Sequence, residues 1–192
     1  MTIDLENISK SYGDLKVLDN FNLEIENDHS YVITGESGKG KTTLIRILLG
    51  LEQPDSGKVH LMGDYKYAYL NAGVVFQEDR LCENFSAVQN VVMVNKNNSV
   101  KVAEEELKKL LPEDSIYKPV RELSGGMKRR VAIVRACSIP SDMLIMDEPF
   151  SGLDAVARQK AIDYIREKQG RNPLFITAHD AEGFDFCREV KL

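Results

Sequence analysis

The stretch GESGKGKT, Gly35 to Thr42, has the spacing G-x-x-x-x-G-K-[ST], in which glycines let the backbone curl until successive N–H groups surround phosphate oxygens. Gly35, Glu36, Ser37, Gly38 and Gly40 build the loop, and Lys39 adds a charge that either touches phosphate or faces solvent. Lys41 is spaced to reach β and γ phosphates, Thr42 to ligate Mg²⁺ through its hydroxyl, and Thr43 to hold an α-phosphate oxygen. A second anion cradle stands at RELSGGMKRR, where Ser124, Gly125 and Gly126 lead into a helix start. MLIMDE, Met143 to Glu148, ends an apolar run in two carboxylates, which are costly to bury without a task. Asp147 suits the outer shell of Mg²⁺, and Glu148 suits taking the proton of an attacking water. His179 ends the run LFITAH and is placed to donate a hydrogen bond to a γ-phosphate. Gln77 ends AGVVFQ, either as a ligand of Mg²⁺ or water or as a plain polar strand terminator. A Ser-His-Asp hydrolase built on His179 and Asp180 lacks the G-x-S-x-G elbow that would supply its nucleophile. His29 and His60 read as ordinary surface or core histidines.

These groups need elements that bring them together. Four apolar runs, SYVITG, AGVVFQ, DMLIMDE and LFITAH, each end at one of them. Such runs suit strands covered on both faces of a parallel α/β sheet, whose ligands gather beyond the carboxyl ends, so all four ends are expected on one rim. The stretch TIDLENISKSYGDLKVLDNFNLEIEN alternates roughly and turns at YGD and END, which predicts an N-terminal antiparallel β subdomain. From about 78 to 122 the composition becomes helical, and Val102, Ala103, Leu107, Leu110 and Leu111 share one face. Pro112 and Pro119 frame a turn, after which Val131, Ile133, Val134 and Ala136 give the next helix its apolar side. The expected class is α/β: a mostly parallel core sheet, the antiparallel β subdomain and a small helical subdomain.

At 192 residues the chain is expected to form a single domain, residues 1–192, with the helical piece inserted at about 78–122. Its 25 basic and 30 acidic residues leave a net charge of −5, so no basic field draws it to nucleic acid. Cys82, Cys137 and Cys187 are far apart and in no C-x-x-C pairing, which predicts free structural thiols rather than disulfides or zinc. MTIDLENISK carries acidic residues and no apolar core, and no apolar run approaches the roughly 18 to 20 residues that span a bilayer. A soluble, intracellular chain is expected.

Taken in order, these motifs resemble those of the nucleotide-binding subunits of ATP-binding cassette (ABC) transporters, which are P-loop NTPases, over essentially the whole chain. GESGKGKTT looks like the family's Walker A loop, VVFQED like its Q-loop through Gln77, and LSGGM like its signature. LIMDE looks like Walker B with the following glutamate, SGLD (Ser151 to Asp154) like the D-loop, and TAHD like the switch histidine, His179. Tyr12 in SYG looks like the aromatic residue that stacks on adenine. The resemblance implies ATP and Mg²⁺ as ligands, with Lys41, Gln77, Glu148 as general base and His179 as phosphate sensor in catalysis. It implies nucleotide contacts from Tyr12, the loop from Gly35 to Thr43, Ser124, Gly125, Gly126 and Asp154, and a metal near Thr42, Gln77 and Asp147. It also explains two anion cradles in one chain. Cassettes of this family pair head to tail, so the signature helix of one closes over the nucleotide on the Walker A loop of the other.

The implied protein is an ATPase that couples cassette pairing, with itself or with a different cassette, to transport through a separate membrane permease. It would sit in the cytoplasm against the inner face of the cell membrane. VVFQEDRL, LSGGM and DEPFSGLDA look most like importers of small solutes such as nitrate, sulfonate or taurine, which adds a solute-binding protein as a partner. Export cassettes share every one of these motifs. A soluble ABC protein acting as an ATP-gated clamp in repair or translation is a further reading, and a single acidic cassette argues against it. A scaffold that binds ATP without turnover is another, opposed by Glu148, since a general base is worth roughly 10² to 10⁴ in rate. Three features depart from the family pattern. Met127 stands where a glutamine usually follows LSGG; DFCREVKL leaves the usual final strands and helix short or absent; and Leu51 to Gln77 is short, with a trimmed loop expected at GDYKYAYLN.

Overall fold

The computed structural model describes residues 2–63, 70–95 and 97–192, so most of the GDYKYAYLN loop lies outside the described residues. Along the chain run β1 (Thr2–Tyr12), β2 (Leu15–Glu26), β3 (Ser30–Thr34), α1 (Lys41–Leu48), β4 (Ser56–Met62) and β5 (Ala72–Val75). Then follow α2 (Ala87–Val92), α3 (Val100–Leu110), α4 (Gly125–Cys137), β6 (Met143–Asp147), α5 (Ala155–Gln169), β7 (Leu174–Ala178) and β8 (Arg188–Lys191). Short 3₁₀ turns at Glu113–Ser115 and Val120–Glu122 join α3 to α4.

The amino-terminal strands pair as expected, in an antiparallel sheet ordered β2-β1-β4 that also recruits β4. Ile3, Leu5 and Ile8 of β1 are buried; the alternation shifts at Asn7, which takes a φ of 52° and donates its N–H to Asn22 Oδ1 at 2.8 Å. This local irregularity returns Ile8 to the core.

The second sheet is parallel throughout, in the order β5-β6-β7-β3-β8. Its strands serve two cores by alternation. Tyr31, Ile33, Met143, Ile145 and Phe175 pack with Leu44, Ile45 and Leu48 of α1 and with the antiparallel sheet. The residues between them, Val32, Leu144, Met146, Leu174 and Ile176, pack with α2 to α5 on the other face. Each such aliphatic side chain contributes about 1.5–3 kcal/mol by leaving water, so the strands are held in register from both sides. Gly73 of β5 is needed for closeness: a Cβ there would stand 2.4 Å from the Ala136 carbonyl oxygen, so α4 lies directly on the strand.

DFCREVKL holds one short strand: the four-residue β8 pairs with β3 from Tyr31↔Arg188 to Thr34↔Lys191, and Val190 and Leu192 pack on the α1-side core. One expectation needs correction. Val102 is 44% exposed, since α3 buries only the narrow stripe Ala103, Leu107 and Leu110 before Leu111. The three cysteines are free, and burial pushes the Cys137 and Cys187 thiols up to about 12. Among the described residues no helix is long and apolar enough to cross a membrane.

Candidate active site

Among the described residues four of the five α-helices bring their own caps: Ser86 with Gln89 for α2, Ser99 for α3, Ser124 for α4 and Asp154 for α5. Helix α1 differs. It has Gly40 in that position, no side-chain cap and no acidic residue in its first turn. Its leading N–H groups and the positive end of its dipole therefore suit an external anion. Gly40 holds a φ of 93°, and a Cβ there would meet the Val17 carbonyl oxygen at 2.6 Å, so only glycine fits. Lys41 is 5% exposed and folds back along the loop, donating to the carbonyls of Gly35 at 2.7 Å and Glu36 at 3.1 Å.

A cleft of about 310 Å³ lies over this helix start, lined by Tyr12, Val17, Ser37, Gly38, Gly40, Lys41, Thr42, Thr43, Gln77 and Glu148. Tyr12 stands at its rim with its hydroxyl donating to Glu52, which also pairs with Arg46 at 3.2 Å and Lys10 at 3.6 Å. Gln77 is held by its backbone: Arg129 of α4 donates to the carbonyls of Phe76 at 2.7 Å and Gln77 at 2.5 Å. Arg135, six residues further along α4, donates to the Arg80 and Asp79 carbonyls. Glu148 follows β6 with a φ of 46°; its carboxylate lies 3.5 Å from Lys41 Nζ and 3.6 Å from His179 Nε2. Asp147, 1% exposed, accepts a hydrogen bond from Thr177 Oγ1 at 2.6 Å. Gly35, Glu36 and Lys39 line an adjoining groove with His179 and Asp180.

The donors around the cleft suit Mg²⁺: the Thr42 hydroxyl, the Gln77 amide oxygen and the neighbouring carboxylates are all hard oxygen ligands. Among the described residues no group of three or more His, Cys, Asp or Glu could hold a metal by itself.

Ser124, Gly125, Gly126 and Asp154 are absent from this cleft, so one chain does not unite all the residues that the motifs group together. Ser124 Oγ caps α4 by accepting from Met127 N at 3.3 Å, and Asp154 Oδ1 caps α5 by accepting from Ala157 N at 2.8 Å. A Cβ on Gly126 would meet the Gly152 carbonyl oxygen at 3.2 Å, so the LSGG and SGLD segments form one continuous surface. The Met127 side chain packs against the core beneath α4. Sequence reasoning missed Val17, Glu52 and Thr177. Only Thr177 carried a signal, as a hydroxyl inside the apolar run LFITA.

The chain matches the ABC transporter family model over residues 18–151. It is 36% identical to a probable sulfate/thiosulfate import ATP-binding protein of Chlorella vulgaris, over all of this chain and 87% of that one. A Nod factor export ATP-binding protein I of Cupriavidus metallidurans is 39% identical, over 98% of this chain and 66% of that protein. Against further sulfate/thiosulfate import relatives the chain spans 59% and 60% of their length. A solved dimeric ATP-binding cassette in a post-hydrolysis state, bound to ADP and Pi, superposes with a TM-score of 0.86 at 26% identity, covering 99% of this chain and 94% of that one. The chain belongs to the ABC transporter family, whose ATP-binding proteins hydrolyse ATP, and its fold is that of their cassette.

Proposed function

We propose that the chain is the MgATP-hydrolysing subunit of an ABC transporter, working as one of two paired cassettes on a separate membrane permease, in the direction of import. The observation that carries this reading is the single cleft that joins the uncapped start of α1, Tyr12, Gln77 and Glu148, with Lys41 and His179 on either side of the Glu148 carboxylate. Adenine stacks on Tyr12, and the phosphates take the N–H groups from Ser37 to Thr43. Lys41 exchanges its bonds to two loop carbonyls for charge-assisted bonds to phosphate oxygens. Glu148 receives the proton of the attacking water, and His179 donates to the γ-phosphate. Thr42, Gln77 and Asp147 would hold Mg²⁺, which would neutralise charge on the phosphates. Ser124, Gly125 and Gly126 face outward to serve the nucleotide of the partner cassette, with Asp154 in the adjoining D-loop surface. A helical subdomain at about 78–122, next to Gln77, receives the permease on the cytoplasmic side of the membrane.

The import direction rests on the relatives named for sulfate/thiosulfate import, which also makes a small oxyanion the favoured solute. The relative named for Nod factor export favours a second reading, an export cassette. Reconstitution with its permease in sealed vesicles decides between them by the side on which solute accumulates. The central test is light scattering on Glu148→Gln. Blocked hydrolysis should convert a monomer into a dimer with ATP and not with ADP, while turnover falls by roughly 10² or more. Wild-type turnover in Glu148→Gln would remove it as the base, and a chain that binds ATP yet never pairs would remove pairing with itself and point to a different cassette or to assembly on the permease.

A further inference from the structure

We infer that Thr177, which lies outside the lining of the nucleotide cleft, sets the positions of both carboxylates at the end of β6 through one hydroxyl group. The inference rests on the reading that Asp147 and Glu148 serve hydrolysis. Asp147 and Thr177 are the last pair in the parallel ladder between β6 and β7. Beyond them the chain turns sharply, with Glu148 at a φ of 46°, a left-handed conformation uncommon for a residue with a side chain. The N–H of Glu148 has passed the end of the ladder and donates to Thr177 Oγ1 at 3.0 Å instead. A backbone N–H only donates, so the hydroxyl accepts there, and its own proton goes to Asp147 Oδ1 at 2.6 Å. That distance lies in the range of charge-assisted bonds.

One oxygen thus ties together the Asp147 side chain, the Glu148 backbone and the strand that ends at Ala178, just before His179. Thr177 is fully buried, so no water substitutes freely for either bond. With the hydroxyl in place, Asp147 keeps one carboxylate orientation and the turn at Glu148 keeps its hand. The Glu148 carboxylate then stands between Lys41 and His179. Thr177 lies outside the cleft lining and acts on the site only through Asp147 and Glu148, which makes it a positioning residue.

The test compares Thr177→Val, which keeps the shape and removes the hydroxyl, with Thr177→Ser, which keeps the hydroxyl and removes a methyl. In the full chain Thr177→Val should lower kcat roughly 10- to 100-fold and weaken Mn²⁺ binding, read by electron paramagnetic resonance beside a non-hydrolysable ATP analogue. Metal-free ADP affinity by calorimetry should stay within about twofold, because the α1 loop is untouched. Hydrogen exchange at the Glu148 amide should accelerate in Thr177→Val and stay slow in Thr177→Ser, and Ser should restore kcat and Mn²⁺ binding. A valine variant with unchanged Glu148 exchange, or a serine variant as impaired as valine in every readout, overturns the inference in favour of simple packing. Absence of ATP turnover in the wild-type chain overturns the functional reading instead, while Glu148 exchange still judges Thr177.

Discussion

At Lys41 the ammonium group has partners before any phosphate arrives, because the carbonyls of Gly35 and Glu36 hold it in place. The loop is therefore arranged in advance, and binding replaces neutral acceptors by charged ones. Hydrogen bonds to charged groups are worth about 1.5–3 kcal/mol, so Lys41→Ala should weaken MgATP binding roughly 10- to 100-fold by calorimetry. Unchanged affinity would mean that the phosphates lie elsewhere. Lys41, Gln77, Glu148 and His179 were legible in the sequence because spacing and strand ends announce them. Thr177 was not legible as a partner, since its meaning depends on which residue of β6 stands opposite it. The place of Ser124 outside the cleft follows from the head-to-tail pairing that the resemblance implies, whereas Asp154 spells a motif and a helix cap with the same letters.

Helices α3 and α5 meet through a polar cluster rather than through apolar contact alone. Glu106 accepts from Tyr164 at 2.9 Å and pairs with Lys168 at 2.7 Å and Lys109 at 3.4 Å. Burial works to raise its carboxyl pKa, but the hydrogen bonds from Lys168 and Tyr164 and the two lysine charges outweigh it and hold the group below 4.5. The folded value lies under the unfolded one, so this stabilisation is present above the ordinary carboxylate range and disappears as pH falls through the folded value. Replacing Glu106 by Gln should cost about 1–3 kcal/mol at pH 7, lowering the thermal midpoint by several degrees, at about 2–4 °C per kcal/mol for a chain of this size. Scanning calorimetry at pH 7 and at a pH well below the ordinary carboxylate range should show the gap between the two proteins close at the lower value. A gap that is the same at both pH values would mean that the carboxylate charge is not what joins the helices. At this scale the four core strands and the amino-terminal sheet were legible from apolar runs and alternation. Strand β8 was not: REVK is polar, and only its place beside β3 makes it a strand.

In the whole molecule, the two anion cradles lie on separate surfaces, which makes pairing a testable requirement. A Lys41→Ala chain lacks its own phosphate grip but keeps its signature surface; a Ser124→Arg chain is the reverse. Each alone should be nearly inactive. Mixed in equal amounts they should regain activity, because a mixed pair contains one site built from the intact loop of one chain and the intact signature of the other. No recovery on mixing, with pairing confirmed by light scattering, would show that each chain completes its own site. The central strands add a different consequence. Odd and even positions of β6 answer to different cores, Met143 and Ile145 to one and Leu144 and Met146 to the other. The strand therefore carries a parity check. Deleting one residue would exchange the two sets and deliver Glu148 to the buried place of Asp147, so the packing guards the spelling of the chemistry against slips that the chemistry itself would detect only after folding.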